Sequence, residues 1–207
     1  MEAYTALAEV YDKFMSHIPY EKWCHLIHKK LCEYGVTSGL LCELGCGTGV
    51  ISRYFSMNGY EVIGIDHSID MLQIAKDAGG DVLYLNQDMR DFELYGTVSA
   101  FISVCDSMNY LINREDFVET LLRVNNYLDK GGYFIFDLKT EQYFKETMGQ
   151  KTLAENLEEA SYIWDNYFYE EEKINEYELT IFKKEKDNYY HKYQETHLQK
   201  AYTKEEV

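Results

Sequence analysis

Between residues 40 and 138 the chain alternates two hydrophobic rhythms. The short runs LLCEL (40–44), EVIGID (61–66), DVLYLN (81–86), VSAFISV (98–104) and GYFIFDL (132–138) are apolar at most positions and read as buried strands. The stretches VISRYFSMN, SIDMLQIAKDA and NREDFVETLLRVNNYL space their apolar residues three and four apart, as an amphipathic helix does. Ser68 stands where an N-cap belongs, and Asn113 with Asp116 three residues on marks the start of the last helix. Strands alternating with crossover helices predict a parallel, right-handed open sheet with helices on both faces, an α/β doubly wound fold.

The rhythm differs on either side of this block. Residues 1–39 read as helical, with apolar stripes in YTALAEVYDKFM and YEKWCHLIHKKLCEY, an interruption at Pro19 and a stop at Gly35. After residue 139 a short helix over 140–148 is expected, followed by three strand-like runs at SYIWDNYFYE, INEYELTIF and YYHKYQETHLQKAY. These predict an inserted antiparallel three-strand meander with one wet, tyrosine-rich face. Tyrosine is 20 of 207 residues; such a face is either an aromatic wall over a pocket or an ordinary half-buried sheet. The chain therefore divides into a helical segment at 1–39, a core at 40–139, and a helix with a lid-like sheet at 140–207.

Gly45, Gly47 and Gly49 follow the first strand at alternate positions, in the turn into the next helix. In an open parallel sheet, ligands bind at the carboxyl ends of the strands, so a glycine turn there invites a ligand close to backbone N–H groups. The dinucleotide pattern needs a third glycine at its sixth position, and Val50 stands there instead. Glu43 closes the strand just before the turn. A carboxylate is a poor neighbour for a pyrophosphate and a good one for an ammonium group, which points to a cofactor with an amino-acid end. Asp66 ends the second strand, where it suits a ribose or caps the following helix. Asp88 follows the third strand, where it can accept from an adenine amine while Met89 covers the ring.

Composition narrows the classes. With 36 acidic and 20 basic side chains the net charge is −16, and no basic cluster breaks the pattern, so a nucleic-acid partner is not expected. No apolar run reaches membrane-spanning length, and the acidic start is unlike a signal peptide, so the expectation is a cytoplasmic protein without a membrane. The five cysteines, an odd number, argue against a disulfide framework. Cys42 and Cys46 fall in a strand and a turn, respectively, and no metal site is expected.

The run LCELGCGTG, with GIDHSIDML, NQDMRDF and CDSMNYL after it, resembles the class I S-adenosylmethionine-dependent methyltransferases, over about residues 4–139. The leading YDKFM and YEKW resemble the lid helices of small-molecule members. The resemblance implies a Rossmann-like core, the cofactor S-adenosylmethionine with its product S-adenosylhomocysteine, and methyl transfer to a small-molecule acceptor. It places the methionine end of the cofactor on Glu43, Gly45, Cys46, Gly47 and Gly49, its ribose on Asp66 beside His67, and its adenine on Asp88 and Met89. Cys105 to Tyr110 would border both cofactor and acceptor, and Tyr4 and Tyr11 would cap the cofactor. The rival readings are an NAD-dependent oxidoreductase and a non-catalytic dimeric protein that binds the cofactor.

Methyl transfer needs alignment and exclusion of water more than a strong base. Asp106, His191 and His197 are the weak catalytic candidates, the two histidines lying six apart and so on one face of a regular strand. Asn109, Tyr110, Asp137, Trp164 and Tyr167 are the candidates for the acceptor site. The resemblance also implies two closing strands beyond the fifth, for which no sequence follows AYTKEEV. The apolar fifth strand would then lie at an edge of the sheet, which invites pairing. Three arrangements fit: a truncated form, a homodimer covering the strand-five edge, or the meander folding back over it.

Overall fold

The computed structural model describes residues 8–185 and 189–207. Two helices open the described chain, α1 (Ala8–Phe14) and α2 (Tyr20–Glu33). The core follows as β1 (Gly39–Leu44), α3 (Val50–Met57), β2 (Tyr60–Asp66), α4 (Ile69–Asp77), β3 (Val82–Asn86), β4 (Val98–Ser103), α5 (Arg114–Tyr127) and β5 (Leu128–Phe136). All neighbours in this sheet are parallel, in the order β3-β2-β1-β4-β5. The order reverses between β1 and β4, which opens a crevice at their carboxyl ends.

Alternate residues of each central strand feed two cores. Leu41, Val62, Ala100 and Ile102 pack with Ile27 and Leu31 of α2 and Ile51 and Phe55 of α3. Cys42, Leu44, Ile63 and Ile65 pack with Phe92, Phe101 and Val124 on the other face. Such burial on both faces explains why these strands read as continuous apolar runs.

The region after β5 has four antiparallel strands rather than three: β6 (Thr152–Asn156), β7 (Ala160–Tyr169), β8 (Ile174–Lys184) and β9 (Tyr190–Lys200), paired in that order. The unexpected β6, TLAEN, is mostly exposed and lies at an edge, so backbone pairing with β7 rather than a hydrophobic pattern defines it. The short helix expected over 140–148 is a widened π-type turn over Tyr143–Met148. The inner face of this sheet rests on α1, where Val10 and Phe14 pack with Ala160, Leu179 and Ile181. Among the described residues the four strands pair only with one another, so the meander does not extend the main sheet and β5 remains its edge. Thr203 and Glu206 exchange the two hydrogen bonds of a capping box. Among the described residues no helix is long and apolar enough to cross a membrane.

Candidate active site

A cavity of about 500 Å³ lies over the carboxyl ends of β1, β2 and β3 and against the segment after β4. Its lining includes Glu43, Gly45, Cys46, Gly47, Asp66, His67, Asp88, Met89, Cys105 and Tyr110. Residues widely separated in sequence thus share one wall because parallel strands end together.

The glycine turn is held by its own backbone. Gly45 and Cys46 both donate to the Ile65 carbonyl, at 2.8 and 3.0 Å, and Gly49 donates to Cys46 O at 2.9 Å. Gly47 N donates to Asp66 Oδ2 at 2.8 Å. These N–H groups are therefore spent within the protein and are not offered to a ligand, contrary to the expectation from sequence. The glycines answer two other needs. All three have left-handed φ, between 51° and 73°, which disfavours other residues. A Cβ at Gly49 would lie 2.2 Å from Tyr84 Oη, whereas one at Gly47 would meet nothing within 4 Å. A Cβ at Gly45 would meet Ser107 Oγ at 2.5 Å, so the turn closes tightly at both ends and leaves room only at Gly47.

Three carboxyl groups stand at or just beyond the carboxyl ends of the first three strands. Glu43 is buried and accepts from Ser52 Oγ in the first turn of α3. Burial pushes its carboxyl up to about 8, because the charged form has lost its water. Asp66 accepts from Gly47 N and, through Oδ1, from Ser68 N at 2.8 Å. Burial pushes it up too, against those two hydrogen bonds. Asp66 thus also performs the turn-capping role its sequence position allowed. Asp88 is gripped by Arg90, whose Nε and Nη2 donate at 2.9 and 2.6 Å, and this holds its carboxyl low. His67 Nδ1 stands 3.9 Å from Asp88. A buried carboxyl at Glu43 and a half-buried one at Asp66, both raised by lost hydration, fit a ligand with a cationic end and a hydroxylated sugar, as S-adenosylmethionine has.

The segment after β4 is strained and clamped. Cys105 and Asp106 both have positive φ, 60° and 55°. Asp137 accepts from both of their N–H groups, at 3.2 and 2.9 Å. Asp137 therefore shapes the loop and is not part of the cavity wall. The Asp106 carboxylate turns away to Lys139 Nζ, at 2.9 Å, and to Gln199 Nε2 on β9. Asn109 is fully buried and spends its amide on backbone groups of Lys139 and Lys200. These three polar residues tie the loop to the following sheet rather than facing an acceptor.

Among the other candidates, Tyr11 and Tyr110 line the cavity. Tyr4 lies outside the described residues. Trp164 stacks on Tyr177, 4.3 Å between ring centres, on the inner face of the second sheet. Tyr167, three residues on, is on the exposed outer face, because strand side chains alternate. His191 and His197 share the inward side of β9, but His191 lies at its exposed end against Tyr193 while His197 is buried. Sequence reasoning passed over Tyr20, Arg90 and Asp12. The first two line the cavity, as does Ser107 within the Cys105–Tyr110 stretch, and Asp12 accepts from Thr48 Oγ1. Arg90 had a signal, its place two residues after Asp88; the others had none.

The methyltransferase domain family matches residues 41–132, the whole stretch that builds the glycine turn and the three strand-end carboxyls. YqeM of Bacillus subtilis, a protein named for methyltransferase activity, is 34% identical over 98% of this chain and 82% of its own. This chain belongs to the class I S-adenosylmethionine-dependent methyltransferases. A crystal structure of an S-adenosylmethionine-dependent methyltransferase from Clostridium acetobutylicum superposes with a TM-score of 0.85 at 26% identity, covering 99% of this chain and 84% of that one. The Streptomyces venezuelae dTDP-3-amino-3,4,6-trideoxy-alpha-D-glucopyranose N,N-dimethyltransferase is 30% identical over 47% of this chain and 41% of its own. As a methyltransferase of this family the protein uses S-adenosylmethionine, and the oxidoreductase reading, already strained by Val50, gives way.

Proposed function

We propose that the cavity over β1 to β3 holds S-adenosylmethionine and that the enzyme methylates a small-molecule acceptor brought against Tyr110 and Cys105. The observation that carries this reading is the convergence of Glu43, Asp66 and Asp88 on one cavity. When bound, the cofactor supplies a methyl group whose carbon–sulfur bond breaks, the electron pair staying on sulfur, as the acceptor's bond to carbon forms. Glu43 would take the ammonium end, Asp66 the ribose hydroxyls, and Asp88 with Met89 the adenine. Tyr11, from α1, would close the cavity and exclude water. The chain divides accordingly, with 40–139 as the binding core and 1–39 and 140–207 contributing cover.

Calorimetric titration with S-adenosylmethionine, S-adenosylhomocysteine and NAD tests the assignment. Micromolar binding of the two sulfur ligands is expected, weakened about ten-fold or more by Asp66→Asn, as for loss of a charged hydrogen-bond acceptor. NAD binding of equal strength would overturn it.

We also propose that a second copy pairs along β5, whose edge is open among the described residues and whose Tyr133–Phe136 stretch is half-buried. A monomer in sedimentation at micromolar concentration would rule this out. A cytoplasmic location accords with five free cysteines.

A further inference from the structure

Behind the cavity wall stands a buried polar cluster that the binding of the cofactor does not use. Tyr110, in the helical turn Ser107–Tyr110 after β4, lines the cavity. Its hydroxyl meets Tyr177 Oη and lies 3.0 Å from His197 Nδ1. On the far side of the imidazole, His197 Nε2 is 3.3 Å from Glu195 Oε2, and both side chains are fully buried. Tyr177 and His197 are register partners on β8 and β9, and their rings stack at 4.7 Å. Glu195 and His197, two apart on one strand, share the inward face.

A buried ionisable pair is a poor way to stabilise a sheet: an apolar pair of similar volume packs there at lower desolvation cost. The order carboxylate, imidazole, phenol, cavity is instead the order in which a proton is moved and its charge compensated. We propose that Tyr110, His197 and Glu195 form a proton relay serving an amine acceptor. This rests on the methyl-transfer reading and adds the acceptor's chemical class.

An alkylammonium, with a pKa near that of lysine, about 10.4, has no lone pair to attack with at neutral pH. It gives a proton to the Tyr110 oxygen as the Tyr110 proton passes to His197 Nδ1, and Glu195 compensates the imidazolium. The freed nitrogen lone pair forms the bond to the methyl carbon as the carbon–sulfur bond breaks. The product is a methylated ammonium, and the one proton released returns from the buried His197 through Tyr110 to the cavity and so to solvent. Asp66, Asp70, Asp88 and Asp116 line the cavity against Arg90, which pairs with Asp88 and Asp116, and the acidic balance that is left favours a cation over a phenolate or carboxylate.

Two measurements test the relay. Nitrogen NMR of His197 in the S-adenosylhomocysteine complex should show a neutral ring with its proton on Nε2, toward Glu195, and a bare Nδ1. An imidazolium at neutral pH, or a proton on Nδ1, would overturn the proposal, since neither form can take a proton from Tyr110. The second measurement uses cyclohexylamine, a simple alkylamine, as the probe acceptor and cyclohexanol as control. Tyr110→Phe and His197→Gln should each lower kcat by about 100-fold or more at pH 7.5, with KM nearly unchanged and calorimetric binding of S-adenosylhomocysteine retained. The deficit should narrow toward pH 9.5, where solvent deprotonates more of the amine; a structural role would leave it constant, and a constant deficit overturns the relay. Absence of transfer to the amine by wild-type enzyme that binds S-adenosylmethionine overturns the amine assignment. Failure of the wild type to bind either sulfur ligand would instead overturn the cofactor reading.

Discussion

Thr48 Oγ1 donates a 2.6 Å hydrogen bond to Asp12 Oδ1, joining the glycine turn to α1. The two residues are 36 apart in sequence. The bond matters because α1 is also gripped on its other side by the second sheet, through Val10 and Phe14. One short helix, which covers the cavity through Tyr11, thus couples the glycine turn to the second sheet. Asp12→Ala should loosen that cover. Its cost to stability should be small, about 1 kcal/mol, as for one hydrogen bond at a partly exposed site. Dissociation of S-adenosylhomocysteine should quicken several-fold, read by stopped-flow displacement. A variant with unchanged dissociation would show that α1 does not close the cavity.

Glu43 makes stability depend on pH in an unusual direction. Its carboxyl is pushed up to about 8 in the native protein, against about 4.3 in an unfolded chain. Between those values the folded state holds a proton that the unfolded state has released, so stability falls as pH rises through the window. Below the window both states are protonated, and above it the full penalty is present. Asp66 and Asp137 are also pushed up by burial and act in the same direction. Glu43→Gln should therefore flatten the decline without abolishing it, in melting temperatures taken from pH 5 to 8.5. Binding of S-adenosylhomocysteine at pH 7 should release protons from the wild type, measured by calorimetry in buffers of different ionisation enthalpy. Glu43→Gln should remove most of that release and weaken binding.

Gly49→Ala is expected to be more damaging than Gly47→Ala. Both positions have left-handed φ, which costs roughly 1 kcal/mol for a residue with a Cβ. At Gly49 the new methyl would also meet the Tyr84 ring, with Cζ at 2.8 Å, adding about 1–3 kcal/mol of overpacking. Urea denaturation of the two variants separates these contributions. Equal losses would mean that backbone conformation alone decides the turn.

Asn109→Ala should be among the more destabilising single changes in the core. It removes the acceptor for Lys139 N and the donor to the carbonyls of Lys139 and Lys200. Leaving buried backbone groups unpaired costs about 1–3 kcal/mol for each. The loss should appear as a lowered urea midpoint. Exchange protection should fall first at the junction of β5 with β9, which this side chain holds together. A midpoint within error of the wild type would show that water replaces the amide without cost.

Local pattern carried the architecture because its physical causes are local. A strand buried on both faces must be apolar throughout, and a helix on its surface must repeat at 3.6 residues; hence β1 to β4 and α3 to α5 could be placed from their residues. Strands recognised by backbone pairing alone gave no such signal, as β6 shows. The carboxyls at 43, 66 and 88 could be named because parallel strands bring their ends together whatever the side chains are.

Side-chain direction was the part that only the tertiary structure decided. Asp106, Asn109 and Asp137 sit in sequence where an acceptor site would be, yet positive φ at Cys105 and Asp106 and the approach of β9 turn their polar groups onto backbone and lid. Trp164 and Tyr167 differ by three positions and so face opposite ways. Whether His197 was a surface residue or the centre of a buried cluster depended on a partner 87 residues away, Tyr110. The sequence by itself determined the sheet, the glycine turn and the strand-end acids, which follow from hydrophobic burial and backbone geometry. The structure decided which polar groups are spent on holding loops and which remain to meet a ligand, because that depends on contacts between segments whose spacing along the chain carries no trace of their meeting.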